Sequence, residues 1–177
     1  IRSKNMPPVT PYVPQRITVH LGAPSSDAAN VTVSFPDYVK NVASSEIYPT
    51  WDESALRANI FAIVSFALNR VYTEFYRSRG YDFDITSSTA YDQAFVNGRS
   101  YFENISRLVD ELFNDYLRRP GFVEPLAAKF CNGTTVTCEG RESELFMGVT
   151  REDTGNSKCD KAGRMVTPSV QSFKITL

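Results

Sequence analysis

Residues 50–80 read TWDESALRANIFAIVSFALNRVYTEFYRSRG, and this stretch decides the fold. Thr50 and Glu53 stand three apart, the spacing of a capping box, in which hydroxyl and carboxylate each satisfy an amide at a helix start. Gly80 offers the left-handed stop that ends many helices. Between these signals there is neither Pro nor Gly. The pattern predicts a helix from about Trp51 to Arg79. Ala55, Leu56, Ile60, Phe61, Ile63, Val64, Phe66 and Leu68 leave almost no polar face in its middle, and a helix apolar all round is a buried one. Arg57, Asn59 and Arg70 interrupt it too often for a membrane span. Immediately before it, Ser44-Ser45-Glu46-Ile47-Tyr48-Pro49-Thr50-Trp51 sets one carboxylate among Ile47, Tyr48 and the single Trp of the chain.

Upstream, Ser34 to Ala43 reads as a short helix with Pro36 in its first turn, where a missing amide costs little. Asp37 lies near the positive end of its dipole. Arg16 to Leu21 alternates as a strand, and Val31 to Val33 forms a second, so the two predict a hairpin with a long loop. Pro7, Pro8, Pro11 and Pro14 make residues 1–15 an extended arm. Downstream, residues 81–95 show no clear period and read as a loop with short extended pieces. Asn97-Gly98 is a turn. Tyr101, Ile105, Leu108, Leu112 and Tyr116 recur at helical spacing, which predicts a second long helix over Arg99 to Arg118, stopped by Pro120-Gly121. Residues 125–138 read as two short strands around Asn132-Gly133. Beyond Gly140 the periodicity fades, and only Val170 to Leu177 resembles a strand.

The totals exclude several classes. With 177 residues, 42% apolar and 22% charged, the chain can bury a core without disulfide staples. A net charge of −1 without a basic stripe argues against nucleic acid. The chain starts at Ile1 rather than Met, which suggests a processed or excised piece with any signal peptide outside it.

Glu46 is the leading chemical candidate. Apolar and aromatic neighbours raise a carboxyl pKa by desolvation, and a carboxyl protonated near neutrality can act as a general acid. The competing reading is a solvated Glu that merely ends a helix. Asp82, Asp84 and Asp92, set among Thr86, Ser87, Ser88, Thr89, Tyr91 and Gln93, suit sugar hydroxyls, a hard cation or only solvent, and they lack calcium-loop spacing. Cys131 and Cys138 flank the Asn-Gly turn and leave two readings open. One is a disulfide across the hairpin; the other is a pair of metal ligands with Cys159 or His20 as a third, although the spacing matches no standard zinc knuckle. No metal and no cofactor is expected. His20 reads as a strand residue. Sequons stand at Asn30, Asn104 and Asn132.

The run Phe35-Pro36-Asp37-Tyr38-Val39-Lys40-Asn41-Val42-Ala43-Ser44-Ser45-Glu46-Ile47-Tyr48-Pro49, followed by Ala55-Leu56-Arg57-Ala58-Asn59, resembles the stage II sporulation protein D family of bacterial cell-wall enzymes. Glu46 falls on that family's Glu. Thr89 to Phe95 resembles its T-x-x-Q-x-Y element, and Leu126 to Phe130 the strand before its Gly-rich region. The resemblance covers about residues 31–140. Asn59 and Val64 stand where the family has Gln and Arg, and the Gly-rich element after residue 138 is not found. The resemblance implies a lytic transglycosylase acting on peptidoglycan glycan strands, with Glu46 as its single acid/base. Ser45, Tyr48, Trp51, Tyr91 and Gln93 would be its substrate-binding residues. The alternative it admits is a non-catalytic peptidoglycan-binding or surface scaffold module with the same fold. It also implies an extracellular or cell-wall location in a bacterium.

The fold expected is α+β, with two main helices and a short one packed on a small, mostly antiparallel sheet. The domains expected are a Pro-rich arm at 1–15, a domain resembling that family at 16–140 and a tail at 141–177 whose structure the residues do not specify. The core expected is Val39, Val42, Leu56, Ile60, Phe61, Ile63, Val64, Ala67, Leu68, Val71, Ile105, Leu108, Val109, Leu112 and Phe113.

Overall fold

The computed structural model describes residues 10–119 and 121–128, and the backbone of short strands at 158–159, 165–166 and 171–174. Strand β1 (Arg16–His20) pairs antiparallel with β2 (Asn30–Ser34), in a register running from Arg16 opposite Ser34 to His20 opposite Asn30. The expected hairpin is present. The sheet is completed by β3 (Ile85–Thr86), which lies parallel to β1 on its other edge. The fold is α+β, but this sheet is mixed rather than mostly antiparallel. The correction comes from the aperiodic loop: β3 is two residues long, too short for alternation to show.

Helix α1 (Phe35–Glu46) starts directly from β2 and runs three residues beyond the expected end. Ser34 caps it, with its hydroxyl accepting from the Asp37 amide at 3.2 Å and donating to the Asp37 carboxylate at 2.6 Å. A side-chain cap therefore forms here, with the carboxylate meeting the Ser34 hydroxyl rather than its amide. It does not form at Thr50 and Glu53: α2 (Glu53–Tyr72) begins after Asp52 with no side-chain cap. Glu53 instead meets Arg57 and Arg107, whose guanidinium charges outcompete an amide for its carboxylate.

Helix α2 also ends earlier than expected. The Thr73 hydroxyl returns to the Asn69 carbonyl at 2.7 Å, and Glu74 takes a φ of +51°, which unwinds the chain. Gly80, at φ +88°, closes a separate single 3-10 turn at Arg77–Arg79. Of the 20 residues of α2, the stretch Ile60 to Asn69 is buried except for Phe61, as a helix without a polar face requires.

The second long helix is shorter at both ends. Gly98 turns at φ +80°, Arg99 to Phe102 runs outside regular structure, and α3 spans only Glu103–Leu112. Residues 115–118 are not helix but β4 (Asp115–Arg118), paired antiparallel with β7 (Gln171–Lys174). The Leu117 amide also donates to Ser65 Oγ on α2 at 2.7 Å. Partners more than 50 positions away, Ser65 before it and β7 after it, decide this segment against its local helical spacing. Strands β5 (Lys158–Cys159) and β6 (Met165–Val166) pair with each other. Cys131, Cys138, Asn132 and the expected hairpin around them lie outside the described residues.

Every residue of the expected core is buried except Phe61, Val71 and Phe113, which are partly buried and pack against it. The core also takes in Ile17, Val19, Phe35, Tyr38 and Phe66, so α1 and α2 close over one face of the sheet. Among the described residues no helix is long and apolar enough to cross a membrane.

Candidate functional site

Glu46 is the last residue of α1. Ile47 leaves the helix in extended conformation and is buried, which fixes the end of the helix against the core. The chain then turns, with the Trp51 amide donating to the Tyr48 carbonyl at 3.1 Å. That turn brings the Tyr48 and Trp51 rings within 5.8 Å of each other, tilted at 54°. Tyr48 is 67% exposed, whereas Trp51 packs partly against the core. The expected aromatic neighbours are therefore a rim rather than a wrapping.

What covers Glu46 is the segment beginning at Gln93. The Ala94 amide donates to Glu46 Oε1 at 2.7 Å. Asn41, one turn back on α1, clasps Val96 at both its amide and its carbonyl, each at 2.8 Å. Arg99 donates to Ser45 Oγ at 2.8 Å, and the Phe102 amide to Ser44 Oγ at 3.3 Å. Asn104 Nδ2 then donates to the Pro49 carbonyl at 2.7 Å. Residues 94–104 thus run along the end of α1 and its following turn, tied by polar side chains at 41, 44, 45 and 46.

Burial pushes the Glu46 carboxyl up from 4.5 to about 7, and the Ala94 hydrogen bond opposes that shift without cancelling it. The C-terminal end of α1 acts in the same direction as burial, since it carries partial negative charge. The residue is partly exposed, and its carboxyl is close to half-protonated at neutral pH.

Gln93 is placed beside this group but faces inward. It is 5% exposed, its Oε1 accepts from the Tyr38 hydroxyl at 3.0 Å, and its Nε2 donates to the Ile63 carbonyl at 3.2 Å. Its side chain holds the Ala94 segment to α1 and α2, and the stacking of Tyr38 on Phe95 at 5.6 Å adds to that hold. Burial drives the Tyr38 hydroxyl well above its ordinary value, with Asp92 and Glu46 adding to the rise, so it stays a neutral donor. Tyr91 is about half exposed and Ser45 is occupied by Arg99 and the Asn41 carbonyl.

The acidic loop resolves into structural roles. Asp92 is buried and accepts from Arg70, Tyr76 and Thr86. Asp84 accepts from the Thr18 amide and pairs with Arg77, and Asp82 accepts from Asn30. Among the described residues no three His, Cys, Asp or Glu side chains are grouped to hold a metal. His20 is buried, stacked on Phe83 at 4.6 Å and hydrogen-bonded at both ring nitrogens, to Asn30 and Ser26, as a strand residue that supports the loop. The side-chain amides of Asn30 and Asn104 are both engaged within the fold.

Sequence reasoning missed Arg99, Tyr101 and Phe102. The two aromatics are 39% and 40% exposed and lie on the strap that runs past Ser44 and Ser45. Their helical spacing with Ile105 concealed them, because that spacing assigns them to a helix that starts only at Glu103. Together with Tyr48 and Trp51 they place aromatic surface on the two segments that flank the end of α1.

No curated protein matches the chain. Residues 26–115 match the family of stage II sporulation proteins named SpoIID, a span that runs from just before β2 to the first residue of β4 and includes the whole Glu46 region. The match covers half of the chain and agrees with the order of motifs around Glu46, so the chain belongs to the SpoIID family of stage II sporulation proteins.

Proposed function

We propose that this chain cleaves the glycan strands of bacterial peptidoglycan as a lytic transglycosylase, with Glu46 as its single acid/base. The observation that carries the reading is the carboxyl of Glu46, pushed up to about 7 at the partly exposed last residue of α1, two residues before the exposed Tyr48. Protonated Glu46 donates to the glycosidic oxygen between MurNAc and GlcNAc as that bond breaks. The C6 hydroxyl of the same MurNAc closes onto C1, and ionised Glu46 takes its proton, leaving a 1,6-anhydro end. The attack is intramolecular, so positioning does the work that a second carboxylate does in an ordinary glycosidase. The shift of Glu46 owes nothing to a neighbouring carboxylate, which suits single-acid chemistry. Ala94 holds one oxygen and fixes the rotamer. Tyr48 and Trp51 offer faces on which sugar rings stack. The reading places the protein at the cell wall, outside the cytoplasm.

The test is to incubate the protein with purified glycan strands and read anhydro-muropeptides by mass spectrometry. Release by the parent and none by Glu46→Gln is the expected result; equal release by both overturns the assignment.

A second reading, glycan binding without cleavage, is favoured by α2. Val64, at the family's Arg position, is fully buried. Asn59, at its Gln position, is also fully buried and donates only to its own helix, at Ala55. Strand capture without any change in strand mass would establish it.

A further inference from the structure

Away from Glu46, four polar side chains form one line of contacts at the loop end of the β1–β2 hairpin. The register sets His20 opposite Asn30 across the two strands. The Leu21 amide closes the loop on the Ala29 carbonyl at 2.9 Å, and Pro24 shapes a tight turn in which the Ser26 amide returns to the Ala23 carbonyl at 2.9 Å. That turn carries Ser26 back to the His20 ring. Nε2 lies 3.1 Å from Ser26 Oγ, and Nδ1 lies 2.7 Å from Asn30 Oδ1. Asn30 Nδ2 in turn donates to Asp82 Oδ1 at 2.8 Å. Gly22 leaves room for this approach, since a Cβ there would come within 2.5 Å of Ser26 Oγ.

The contact with Asp82 settles the proton on the ring. A carboxylate only accepts, so the Asn30 amide turns its Nδ2 toward Asp82 and its Oδ1 toward His20. An amide oxygen also only accepts, so Nδ1 carries the hydrogen. In the neutral ring, Nε2 then presents its lone pair to the Ser26 hydroxyl. That hydroxyl has a second acceptor, the Ala23 carbonyl at 2.7 Å, and rotation about the Cβ–Oγ bond takes the proton from one to the other. His20 is 5% exposed and stacked on Phe83, which fixes the base, whereas Ser26 is open to solvent. A hydroxyl within reach of a base that a third group orients is the arrangement of an activated serine.

We propose that Ser26 is a nucleophile for acyl transfer from small carboxylic esters, with His20 as its base and Asn30 as a positioning residue. Ser26 Oγ bonds to the acyl carbon as its proton passes to Nε2. The bond from that carbon to the alkoxy oxygen breaks, and the departing alkoxide takes the proton from Nε2. Water then adds to the acyl carbon with its proton going to Nε2, the Oγ–acyl bond breaks, and Ser26 Oγ recovers the proton as the acid leaves. Asn30 Oδ1 holds Nδ1–H throughout. Water is the only co-reactant, and nothing is oxidised or reduced. The hydrogen bonds of this network include none to Glu46 or to residues 94–104, so the activity is independent of the glycan reading.

The test treats the protein with an alkyl fluorophosphonate and reads the adduct by peptide mass spectrometry. The Ser26 Oγ–phosphorus bond should form with loss of fluoride, and the label should fall on Ser26 rather than on Ser25, which is also exposed in the same loop. His20→Gln should slow labelling about a hundredfold, the low end of what a positioned base contributes. Gly22→Ala leaves the ring in place and displaces the hydroxyl from it, so it serves as the second variant and should slow labelling about tenfold or more. Circular dichroism checks that each variant folds. His20 is the single His of the chain, so the nitrogen NMR signals of its ring need no assignment. They should report the Nδ1–H form in the parent and a mixture of tautomers in Asn30→Ala, a change that lost packing alone would not produce. The parent should also hydrolyse p-nitrophenyl acetate, and Ser26→Ala should not. Labelling of Ser26 no faster than of Ser25, or at one rate in the parent, His20→Gln and Gly22→Ala, overturns the nucleophile. A parent ring in the Nε2–H form overturns the role of Asn30.

Discussion

The backbone amide of Ala94 donates to Oε1 of Glu46 at 2.7 Å, across 48 residues of chain. This bond joins the end of α1 to the strap that covers it. It also leaves the carboxyl in a state far from that of a free glutamate. Glu46 is pushed from 4.5 to about 7 by burial, so between those pH values the folded chain binds a proton that the unfolded chain has released. Unfolding then releases a proton, and stability falls as pH rises through that window. The contribution is fully present below about 4.5 and is lost above about 7, on the order of 3 kcal/mol. Glu46→Gln keeps the acceptor for Ala94 and removes the titration. Urea unfolding at pH 5 and pH 8 should show the parent losing stability and Glu46→Gln losing less by about that amount. Equal slopes in the two proteins would show that Glu46 ionises without cost. In activity, the acid form is needed, so cleavage should decline above about pH 7 with a single ionisation.

Tyr38 and Gln93 form the buried support of that strap. Tyr38→Phe removes the donor to Gln93 Oε1 and leaves a buried acceptor without a partner, at a cost of about 1–3 kcal/mol. Replacing both partners by apolar side chains removes the orphan. The pair Tyr38→Phe with Gln93→Leu should then be less destabilised than the sum of the two single variants, as read by a double-mutant cycle in urea. Strict additivity would mean that the 3.0 Å contact carries no coupling.

The expected release of anhydro ends also has a structural corollary at Asn41. Its amide group clasps Val96 at both backbone atoms, two residues beyond Ala94. Asn41→Ala removes two hydrogen bonds on a buried side chain and should cost about 1–3 kcal/mol. It should also loosen the Ala94 contact, which opposes the upward shift of Glu46. The Glu46 titration, followed by carboxyl NMR, should therefore move further up in Asn41→Ala. An unchanged midpoint would show that the remaining ties of the strap hold the Ala94 amide at Glu46 without Asn41.

The sequence carried the elements whose cause is local. The helix start at Ser34 follows from Ser34, Pro36 and Asp37, and the burial of α2 from the lack of a polar face. Motif order set Glu46 on the family's Glu, outside a helix expected to end at Ala43, whereas α1 runs on to make Glu46 its last residue. What failed was set by distant partners. Asp115 to Arg118 carries a helical register in Tyr116, yet it is drawn into a strand by residues 171–174 and by Ser65. Glu53 has the spacing of a cap, yet Arg107 lies on a helix 54 residues away. Gln93 has the chemistry of a ligand group, and only its neighbours Tyr38 and Ile63 show that it faces inward. Phe102 was legible as apolar and not as exposed, because exposure depended on where α3 begins.

Asp92 is the other fixed point of the strap, two residues before Ala94. Its Oδ1 accepts from Arg70 at 2.7 Å, and its Oδ2 from the Tyr76 hydroxyl at 2.6 Å, the Thr86 hydroxyl at 2.7 Å and the Thr86 amide at 3.0 Å. The Asp92 side chain is fully buried, and the Arg70 side chain is 13% exposed. Asp92→Ala would strand a nearly buried guanidinium and three further donors, a change that costs about 3–5 kcal/mol when one partner of a buried pair is removed. Arg70 keeps its stacking over Phe75 at 3.8 Å, so the lower part of that range is expected. Loss in urea unfolding should be accompanied by faster hydrogen exchange at the Ala94 amide, because the segment that presents it has lost its upstream anchor. Exchange at Ala94 as slow as in the parent, with stability reduced as expected, would show that Gln93 and Asn41 hold the amide at Glu46 without Asp92. In that case the acid and the Asp92 cluster are mechanically independent parts of the fold.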